Sequence, residues 1–268
     1  MEVNSASSQL TLSSTPGFDE PILIVDDYGR RGDGLSNAHT ILAANGNEYV
    51  IKGPSLSQDN LFVGVNEFIG VQMARAIGLP VLEHELFQNG AELFFGTLNQ
   101  RSTDFYKELT PDLFARCYNK DVVYSMLIFD LWICNNDRHE ENIITRRSGA
   151  GTSAEKLFII PFDHGNALLY HRKPASLQDL DMPLADCIIL DFLAEYMDDS
   201  IKLRRAVDIV CQIPRTHIRS VVQSVPEAWL KRREKVNVEE FLVDRQGKLV
   251  ERVNEGLAKL PKLGSVTL

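Results

Sequence analysis

The stretch "NNDRHEENII", residues 135–144, follows directly on the apolar run "VVYSMLIFDLWIC", residues 122–134. A buried helix that gives way at once to charged and amide side chains is typical of either a solvated turn or an active-site loop on a rigid scaffold. Residues 157–168, "LFIIPFDHGNAL", form a second phrase in which polar residues end an apolar run. Together the two phrases favour an active-site loop.

The spacing within these phrases indicates phosphoryl transfer. Asp137 and Asn142 are five residues apart, as are the aspartate and asparagine of the kinase catalytic loop H-R-D-L-x-x-x-N. That chemistry needs a carboxylate that orients and deprotonates an attacking hydroxyl, and a neutral oxygen ligand for a magnesium ion. Asp163 ends an apolar strand, and Gly165 permits a sharp turn after it. A carboxylate there is costly unless it is paired or metal-bound, so we expect Asp163 to be a second magnesium ligand.

The rest of the chain predicts an α+β protein with two lobes. Residues 1–18 are rich in Ser and Thr, which predicts a disordered leader. Between residues 19 and 98, apolar alternation and the turn signals Asn45-Gly46 and Asn89-Gly90 predict a small lobe of about five strands and one helix. Residues 99–268 show mainly helical patterns. We therefore expect a β-rich N-lobe, a hinge near residues 95–99 and a larger helical C-lobe.

The N-lobe supplies candidate nucleotide contacts. Lys52 ends the strand "EYVIK", where a lysine can reach phosphate groups, and Glu67 on the following helix could hold it in place. Each residue alone is more often an ordinary solvated charge, and only their order along the chain, which is that of a kinase, favours the functional interpretation. The other candidates are weak phosphate-loop residues and apolar residues that could line an adenine cleft: Gly32, Gly34, Ser36, Asn37, Phe94 and Phe95.

The phrases "NNDRHEENI" and "IPFDHGNAL" resemble those of the HipA-like kinases, and the resemblance covers most of residues 20–245. It includes "GLSNAHTILAANGNEYVIK", "VNEFIGVQMARAIGLPV" and "IPRTHIRSVVQSVPEAWL". The resemblance implies a two-lobed protein-kinase-like fold that binds ATP and magnesium and phosphorylates a serine or threonine hydroxyl of a protein. The acidic charge of the chain favours a soluble acceptor over a lipid headgroup at an anionic surface. The resemblance also implies that Asp137 is the catalytic aspartate, that Asn142 and Asp163 bind magnesium, and that Lys52 contacts the ATP phosphates with Glu67 as its support. His139 is a further candidate of the nucleotide site, as a hydrogen-bonded loop residue that braces Asp137.

The sequence also departs from eukaryotic protein kinases. It contains no H-R-D, D-F-G or A-P-E phrase, so an activation segment of that kind is not expected. The segment "GRRGDGLSNAH" lacks the G-x-G-x-x-G pattern of a glycine-rich loop. HipA-like toxins commonly carry a longer N-terminal region and a DNA-binding antitoxin partner, and the small N-lobe here argues against that partnership.

Composition narrows the partners. The chain has 268 residues, a formal net charge of −9 and a pI near 5.2, which disfavours a general nucleic-acid or anionic-membrane surface. No segment has the pattern of a signal peptide or a membrane span. The four cysteines are scattered without C-x-x-C spacing. These features predict a cytoplasmic protein with ATP and a protein substrate as partners, without membrane association or direct nucleic-acid binding.

Other functions remain open at this stage. The chain could be a nucleotide-binding pseudokinase, or a kinase that acts on a small molecule. A weaker alternative is a metal-dependent hydrolase that uses His139, Asp163, His164 and His171, although no H-E-x-x-H spacing is present. If the protein is a kinase, Ser176, which follows Arg172 and Lys173, is a candidate self-phosphorylation site.

Overall fold

The computed structural model of the chain describes residues 20–31, 37–57, 60–99, 105–106, 108–149, 155–169, 189–257 and 260–268. Several sequence predictions fall outside these ranges, namely those for the leader 1–18 and for Gly32, Gly34, Ser36, His171 and Ser176. Within the described ranges the chain is a mixture of strands and helices, so the predicted α+β class is confirmed.

The first part of the chain forms a barrel with one helix. Its elements are β1 (Ile22–Arg30), β2 (His39–Ala43), β3 (Glu48–Lys52), α1 (Val63–Ala76), β4 (His84–Asn89) and β5 (Glu92–Leu98). The strands close in the order β1-β2-β3-β5-β4, with β1 parallel to β4 and the other neighbours antiparallel. The strands and the helix predicted for this part are present, and the parallel closure was not predicted.

Both predicted hairpins turn at their Asn-Gly pairs. Gly46, between β2 and β3, has φ 83°, and Gly90, between β4 and β5, has φ 58°. Residues with side chains rarely adopt such positive φ values, so these glycines allow the tight connections. The strands enclose a small apolar cluster around Ile41, Tyr49 and Phe87.

The second part of the chain combines a second sheet with helices. Its elements are β6 (Phe105–Tyr106), α2 (Pro111–Arg116), α3 (Val122–Trp132), β7 (Ile143–Ser148), β8 (Lys156–Pro161), α4 (Asp191–Tyr196), α5 (Ser200–Cys211), α6 (Arg215–Ser224), α7 (Arg232–Gly247) and α8 (Leu249–Gly256). Strands β6, β7 and β8 pair in that order and are antiparallel. Helix α3 is central, as its apolar sequence predicts, and the Nε1 of Trp132 donates a hydrogen bond to the Leu242 carbonyl of α7 at 2.9 Å.

Helix α1 connects the barrel to the helical part. It is buried over almost its whole length and belongs to the same apolar core as α3, α5 and α7. Its Phe68 meets the ring of Trp229 edge-on, with centroids 6.4 Å apart, and the Nε1 of Trp229 donates to the Leu93 carbonyl of β5 at 3.2 Å. The barrel and the helices therefore share a core. Among the helices within the described ranges, none has the length and apolar character that a bilayer span requires.

Gly70 allows helix α1 to pack closely on the segment after β8. A Cβ atom at Gly70 would lie 2.6 Å from the Cβ of His164, which is closer than real Cβ atoms come. At Gly247, where α7 ends, a Cβ atom would meet no neighbouring group within 4 Å. We expect Gly70→Ala to lower the free energy of unfolding by about 1–3 kcal/mol, because the packed core must shift.

The matched control is Gly247→Ala, which should leave the free energy of unfolding unchanged or raise it by up to about 1 kcal/mol, because alanine favours the helix. Urea denaturation of both variants measures the difference. Equal midpoints for the two variants would contradict the close packing of α1 on His164.

Candidate active site

An ion-paired triad brings together the end of β3, helix α1 and the segment after β8. The Nζ of Lys52 lies 2.6 Å from the Oε1 of Glu67 and 2.6 Å from the Oδ2 of Asp163. The Lys52 side chain is 12% exposed and that of Glu67 is 4% exposed, whereas Asp163 keeps 26% of its surface open. The triad is therefore sealed on its Glu67 side and open at Asp163.

The charges of the triad perturb one another. Burial lowers the pKa of Lys52, but the neighbouring carboxylates, Asp163 first, outweigh this and hold it above its ordinary value. Burial raises the pKa of Glu67 to about 7, against the opposing effect of Lys52. Burial also acts to raise the pKa of Asp163, but Lys52 outweighs it and holds the pKa well below its usual range. Asp163 is thus the carboxylate that stays ionised beside the lysine.

The loop that follows α3 presents Asp137 and Asn142. Its entry is a left-handed residue, Cys134 with φ 54°, and it ends in a short 3-10 turn over Glu140–Asn142. The Asn142 amide nitrogen donates to the Asp137 carbonyl at 2.6 Å. With this nitrogen engaged, the amide oxygen is the Asn142 atom that could coordinate a cation, as the chemistry of an oxygen-preferring metal requires.

Arg138 holds this loop from beneath and is only 2% exposed. Its Nε and Nη2 each donate at 3.0 Å to an oxygen of Asp130, a buried residue of α3. Its Nη1 donates to the Asn142 carbonyl at 2.9 Å and to the Phe162 carbonyl. One side chain therefore links α3, the loop that carries Asp137 and the segment that carries Asp163.

The backbone of the segment after β8 is held by side chains of α1 and of the residues just before it. The side-chain amide nitrogens of Asn60 and of Asn66, which lies in α1, both donate to the Gly165 carbonyl at 2.8 Å. The His164 backbone N–H donates to the Oε2 of Glu67 at 3.0 Å. Asp163 itself has φ 59°, a left-handed conformation that turns its side chain out of the line of the strand.

His164 is a buried neutral imidazole. Burial, and then the charge of Arg138, hold the pKa of His164 well below its ordinary value. Its Nδ1 lies 3.2 Å from the Nη2 of Arg138, and because a guanidinium only donates, Nδ1 is the acceptor. His164 therefore belongs to the buried support of the loop, and its ring does not serve as a cationic group.

A cleft of about 630 Å³ lies between the barrel and the helical part. Its polar wall carries Lys52, Glu67, Asp137, Asn142 and Asp163. Its apolar wall has residues from both parts of the chain, namely Ala38, Val50, Leu82, Phe95, Leu98, Ile144 and Phe162. A cleft lined by both apolar side chains and charged groups is suited to a ligand that joins a flat ring system to a polyanion.

The structure brings most of the predicted site residues into this cleft. Lys52, Glu67, Asp137, His139, Asn142, Asp163 and Phe95 all line it. The expectation for Phe94 is wrong, because this ring packs in the barrel cluster with Tyr49 and Phe87, on the strand face opposite to Phe95. Of the described residues in the predicted phosphate loop, Asn37 has φ 45° but does not line the cleft, whereas its neighbour Ala38 does.

Sequence reasoning missed several supporting residues: Asn60, Asn66, Asp130, Arg138 and Asn166. A signal for Asp130 was present, because a carboxylate inside an apolar helix requires a buried partner. Asn166 carried a weaker signal, since it is a polar residue three positions after Asp163 in a stretch that turns apolar again. Local sequence held no equivalent signal for Asn60 and Asn66, whose partners lie about a hundred residues away along the chain.

The hydrolase alternative finds no geometric support in the described residues. Within those ranges, no three His, Cys, Asp or Glu side chains are grouped so as to hold a metal ion. His139 Nε2 lies 3.0 Å from the Asn142 amide nitrogen, and His164 faces Arg138. The two histidines thus serve as hydrogen-bonding residues of the loops.

Comparison with known proteins gives a consistent result. A family model described as HipA-like kinase matches residues 24–257. The structure resembles the proinflammatory kinase CtkA of Helicobacter pylori with a TM-score of 0.57 and 19% identity, over 82% of this chain and 91% of that one. It also resembles HipA of Shewanella oneidensis, from a complex with HipB and operator DNA, with a TM-score of 0.50 and 15% identity, over 91% of this chain and 69% of that one. No protein of curated function matches the sequence. The predicted two-lobed kinase-like fold is confirmed.

The buried ion pair of Asp130 and Arg138 allows a test of the loop support. Asp130→Ala should lower the free energy of unfolding by about 3–5 kcal/mol, because it leaves an uncompensated guanidinium in the core. The control is Asp244→Ala, which removes an exposed partner of Lys248 at 3.0 Å and should cost less than about 1 kcal/mol. Urea denaturation compares the two, and a similar small loss in both would contradict a structural role for Arg138.

The raised pKa of Glu67 predicts a pH dependence. Because the folded state keeps a proton on Glu67 at pH values where the unfolded chain has released it, this residue's contribution to stability is complete below its ordinary pKa and is lost as pH rises towards about 7. Glu67→Gln removes the titration. The stability of the wild type relative to Glu67→Gln should therefore fall between about pH 5 and pH 8. Urea denaturation at both pH values measures this change, and a constant or rising difference would contradict the burial effect.

Proposed function

We propose, since this chain belongs to the HipA-like kinase family, that it is a magnesium-dependent kinase that transfers the γ-phosphoryl group of ATP to a serine or threonine hydroxyl of a soluble protein. The observation that carries the proposal is the convergence of Lys52, Asp137, Asn142 and Asp163 on one cleft. These residues come from three separate segments of the chain, and phosphoryl transfer requires this combination of a cation, a carboxylate base and oxygen ligands.

The lining of the cleft suits the two chemical parts of ATP. Apolar residues, with Val50, Phe95 and Ile144 among them, suit the faces of an adenine ring. Lys52 lines the same cleft, where its ammonium group can contact phosphate oxygens. Its pairing with Glu67 fixes the direction of a long and otherwise flexible side chain.

The charge of the cleft supports the requirement for a divalent cation. The lining includes the cations Arg31 and Lys52, together with the acids Glu67, Glu108, Asp137, Glu141 and Asp163. An anionic triphosphate would meet this acidic surface with little attraction. Asn142 and Asp163 offer the oxygen ligands that magnesium prefers, and a bound magnesium ion would neutralise phosphate charge during transfer.

The protein's part in the reaction is to position groups and to accept a proton. Asp137 is half-exposed, with 38% of its side chain open, so an acceptor hydroxyl can reach its carboxylate from the cleft. In the proposed mechanism Asp137 orients this hydroxyl and takes its proton as the oxygen attacks the γ-phosphorus. Lys52 holds the phosphates while that bond forms, and ADP leaves with the electron pair of the broken bond.

The charge of the cleft lining also favours a protein acceptor. Glu108 and Glu141 line the same cleft as Asp137, and their negative charge would repel an anionic lipid headgroup or a nucleic-acid backbone. A hydroxyl on a neutral or basic peptide meets no such barrier. Cys117, Cys134 and Cys211 form no disulfide bond in the described part of the chain, which agrees with the proposed cytoplasmic location.

Nucleotide binding and transfer test this proposal. Magnesium and ATP together, at about one hundred times the dissociation constant, should raise the free energy of unfolding by about 2.7 kcal/mol, and magnesium alone should raise it far less. Asp163→Asn should weaken binding of ATP with magnesium, because it removes a charged ligand. Asp137→Ala should bind ATP nearly as the wild type does and transfer no phosphate.

Calorimetry gives the affinities, and radiolabelled ATP in a cell lysate, followed by identification of the labelled species, gives the acceptor. Absence of binding at about 1 mM ATP by folded protein would refute the proposal. Binding without transfer to any species would instead support a pseudokinase. A labelled small molecule, in place of a protein, would correct the acceptor class.

A further inference from the structure

We propose that Asn166 is a positioning residue that locks the carboxylate of Asp137 in the orientation required for transfer. This inference rests on the proposed kinase function. The Asn166 amide nitrogen donates a hydrogen bond to the Oδ2 of Asp137 at 2.7 Å, across a separation of 29 residues in sequence. Both side chains line the same cleft. The bond therefore connects the segment that carries Asp163 directly to the proposed base.

The backbone around Asn166 is fixed on both sides. The preceding carbonyl, of Gly165, accepts hydrogen bonds from the side chains of Asn60 and Asn66 at 2.8 Å. On the other side, the Leu168 N–H donates to the Ile133 carbonyl at 2.8 Å. Because its backbone is held in this way, the side-chain amide of Asn166 can fix the orientation of the Asp137 carboxylate that it contacts.

Asp137 needs this restraint. Its backbone is held by bonds from the Asn142 amide nitrogen to its carbonyl and from its own N–H to the Oδ1 of Asn135. The side-chain torsion angle χ2 of an aspartate, which rotates the carboxylate group, nevertheless has a broad distribution. When Oδ2 accepts from Asn166, this torsion is set, and Oδ1 is the oxygen presented to an acceptor hydroxyl. His139 Nε2 lies 3.9 Å from Oδ1, beyond hydrogen-bonding distance.

The competing role for Asn166 is direct contact with the nucleotide or its cation through the amide oxygen. The two roles differ in kinetics. A positioning residue acts on the reacting geometry and changes kcat, whereas a binding contact changes KM or nucleotide affinity. They also differ in what aspartate does at this position, because Asp is a good cation ligand but has no N–H to donate.

The experiment measures ADP formation with magnesium, ATP and water as the acceptor, and compares the wild type with three variants of Asn166. Asn166→Ala and Asn166→Asp should each lower kcat about 10- to 100-fold, the loss expected for a hydrogen bond to a charged group, with KM for ATP within about twofold of the wild type. Asn166→Ser keeps a donor and should recover part of the rate. The control is Asn47→Ala, an exposed turn residue that should match the wild type.

A double-mutant cycle makes the assignment specific. In an Asp137→Ala background, Asn166→Ala should cause no further loss of the residual rate, because the partner of its hydrogen bond is absent. Asn166→Asp is nearly isosteric with asparagine, so it provides the test if Asn166→Ala does not fold, as judged by urea denaturation.

The contrary results are equally distinct. An unchanged kcat in Asn166→Ala, or a raised KM with kcat retained, would overturn the positioning role while the kinase function stands. Retained activity in Asn166→Asp would assign Asn166 to the cation. If the wild type labels a protein in the lysate but forms no ADP with water, the same variants are compared by their rate of labelling. A wild type that binds ATP but neither forms ADP nor labels any species of the lysate would remove the proposed function and this inference together.

Discussion

The buried guanidinium of Arg138 is the interaction on which the site depends. An arginine has five N–H donors and no acceptor, so burying it in the core is tolerable only where acceptors surround it. Here the carboxylate of Asp130 and the carbonyls of Asn142 and Phe162 supply them. The two carbonyls belong to the segments that carry Asn142 and Asp163. Satisfying one buried charge therefore sets the separation of the two loops, and with it the relation of the proposed base to the proposed metal ligands.

Helix α1 imposes the second constraint, and it does so through packing. Asn66, Glu67 and Gly70 lie within little more than one turn of the helix, and all three contact the segment after Asp163. Asn66 does so with its side-chain amide, Glu67 with its carboxylate, and Gly70 with a backbone that carries no side chain. The ion pair of Glu67 with Lys52 follows from this arrangement and does not cause it. Two carboxylates around one buried lysine leave excess negative charge, which costs desolvation energy, so the apolar core must hold them there. The raised pKa of Glu67 reports that cost.

Local signals predicted the hairpins, the central helix and the order of the catalytic phrases, because each depends on a short run of sequence. The closure of the barrel depends on the parallel pairing of two residues, Ile22 and Leu23, with β4. Neither strand carries a sequence signal for this pairing. Phe94 and Phe95 show a similar limit. One face of β5 meets the barrel core and the other meets the cleft, so both positions are apolar and composition cannot distinguish them. Asn166 was missed because its importance lies in a partner 29 residues away.

Residues 135–144 are mostly polar because the loop carries two sets of polar side chains, one buried and one exposed. Asn135, Arg138 and Asn142 are almost fully buried, while Asp137 and His139 keep 38% and 36% of their side chains open. A loop at the bottom of a cleft cannot use water to satisfy its backbone, so side chains of its own must do so. The backbone of Asp137 is thus fixed by the buried side chains of Asn135 and Asn142. A chain that kept only the exposed polar residues of this stretch, without the buried ones, would retain the catalytic side chains but lose their geometry.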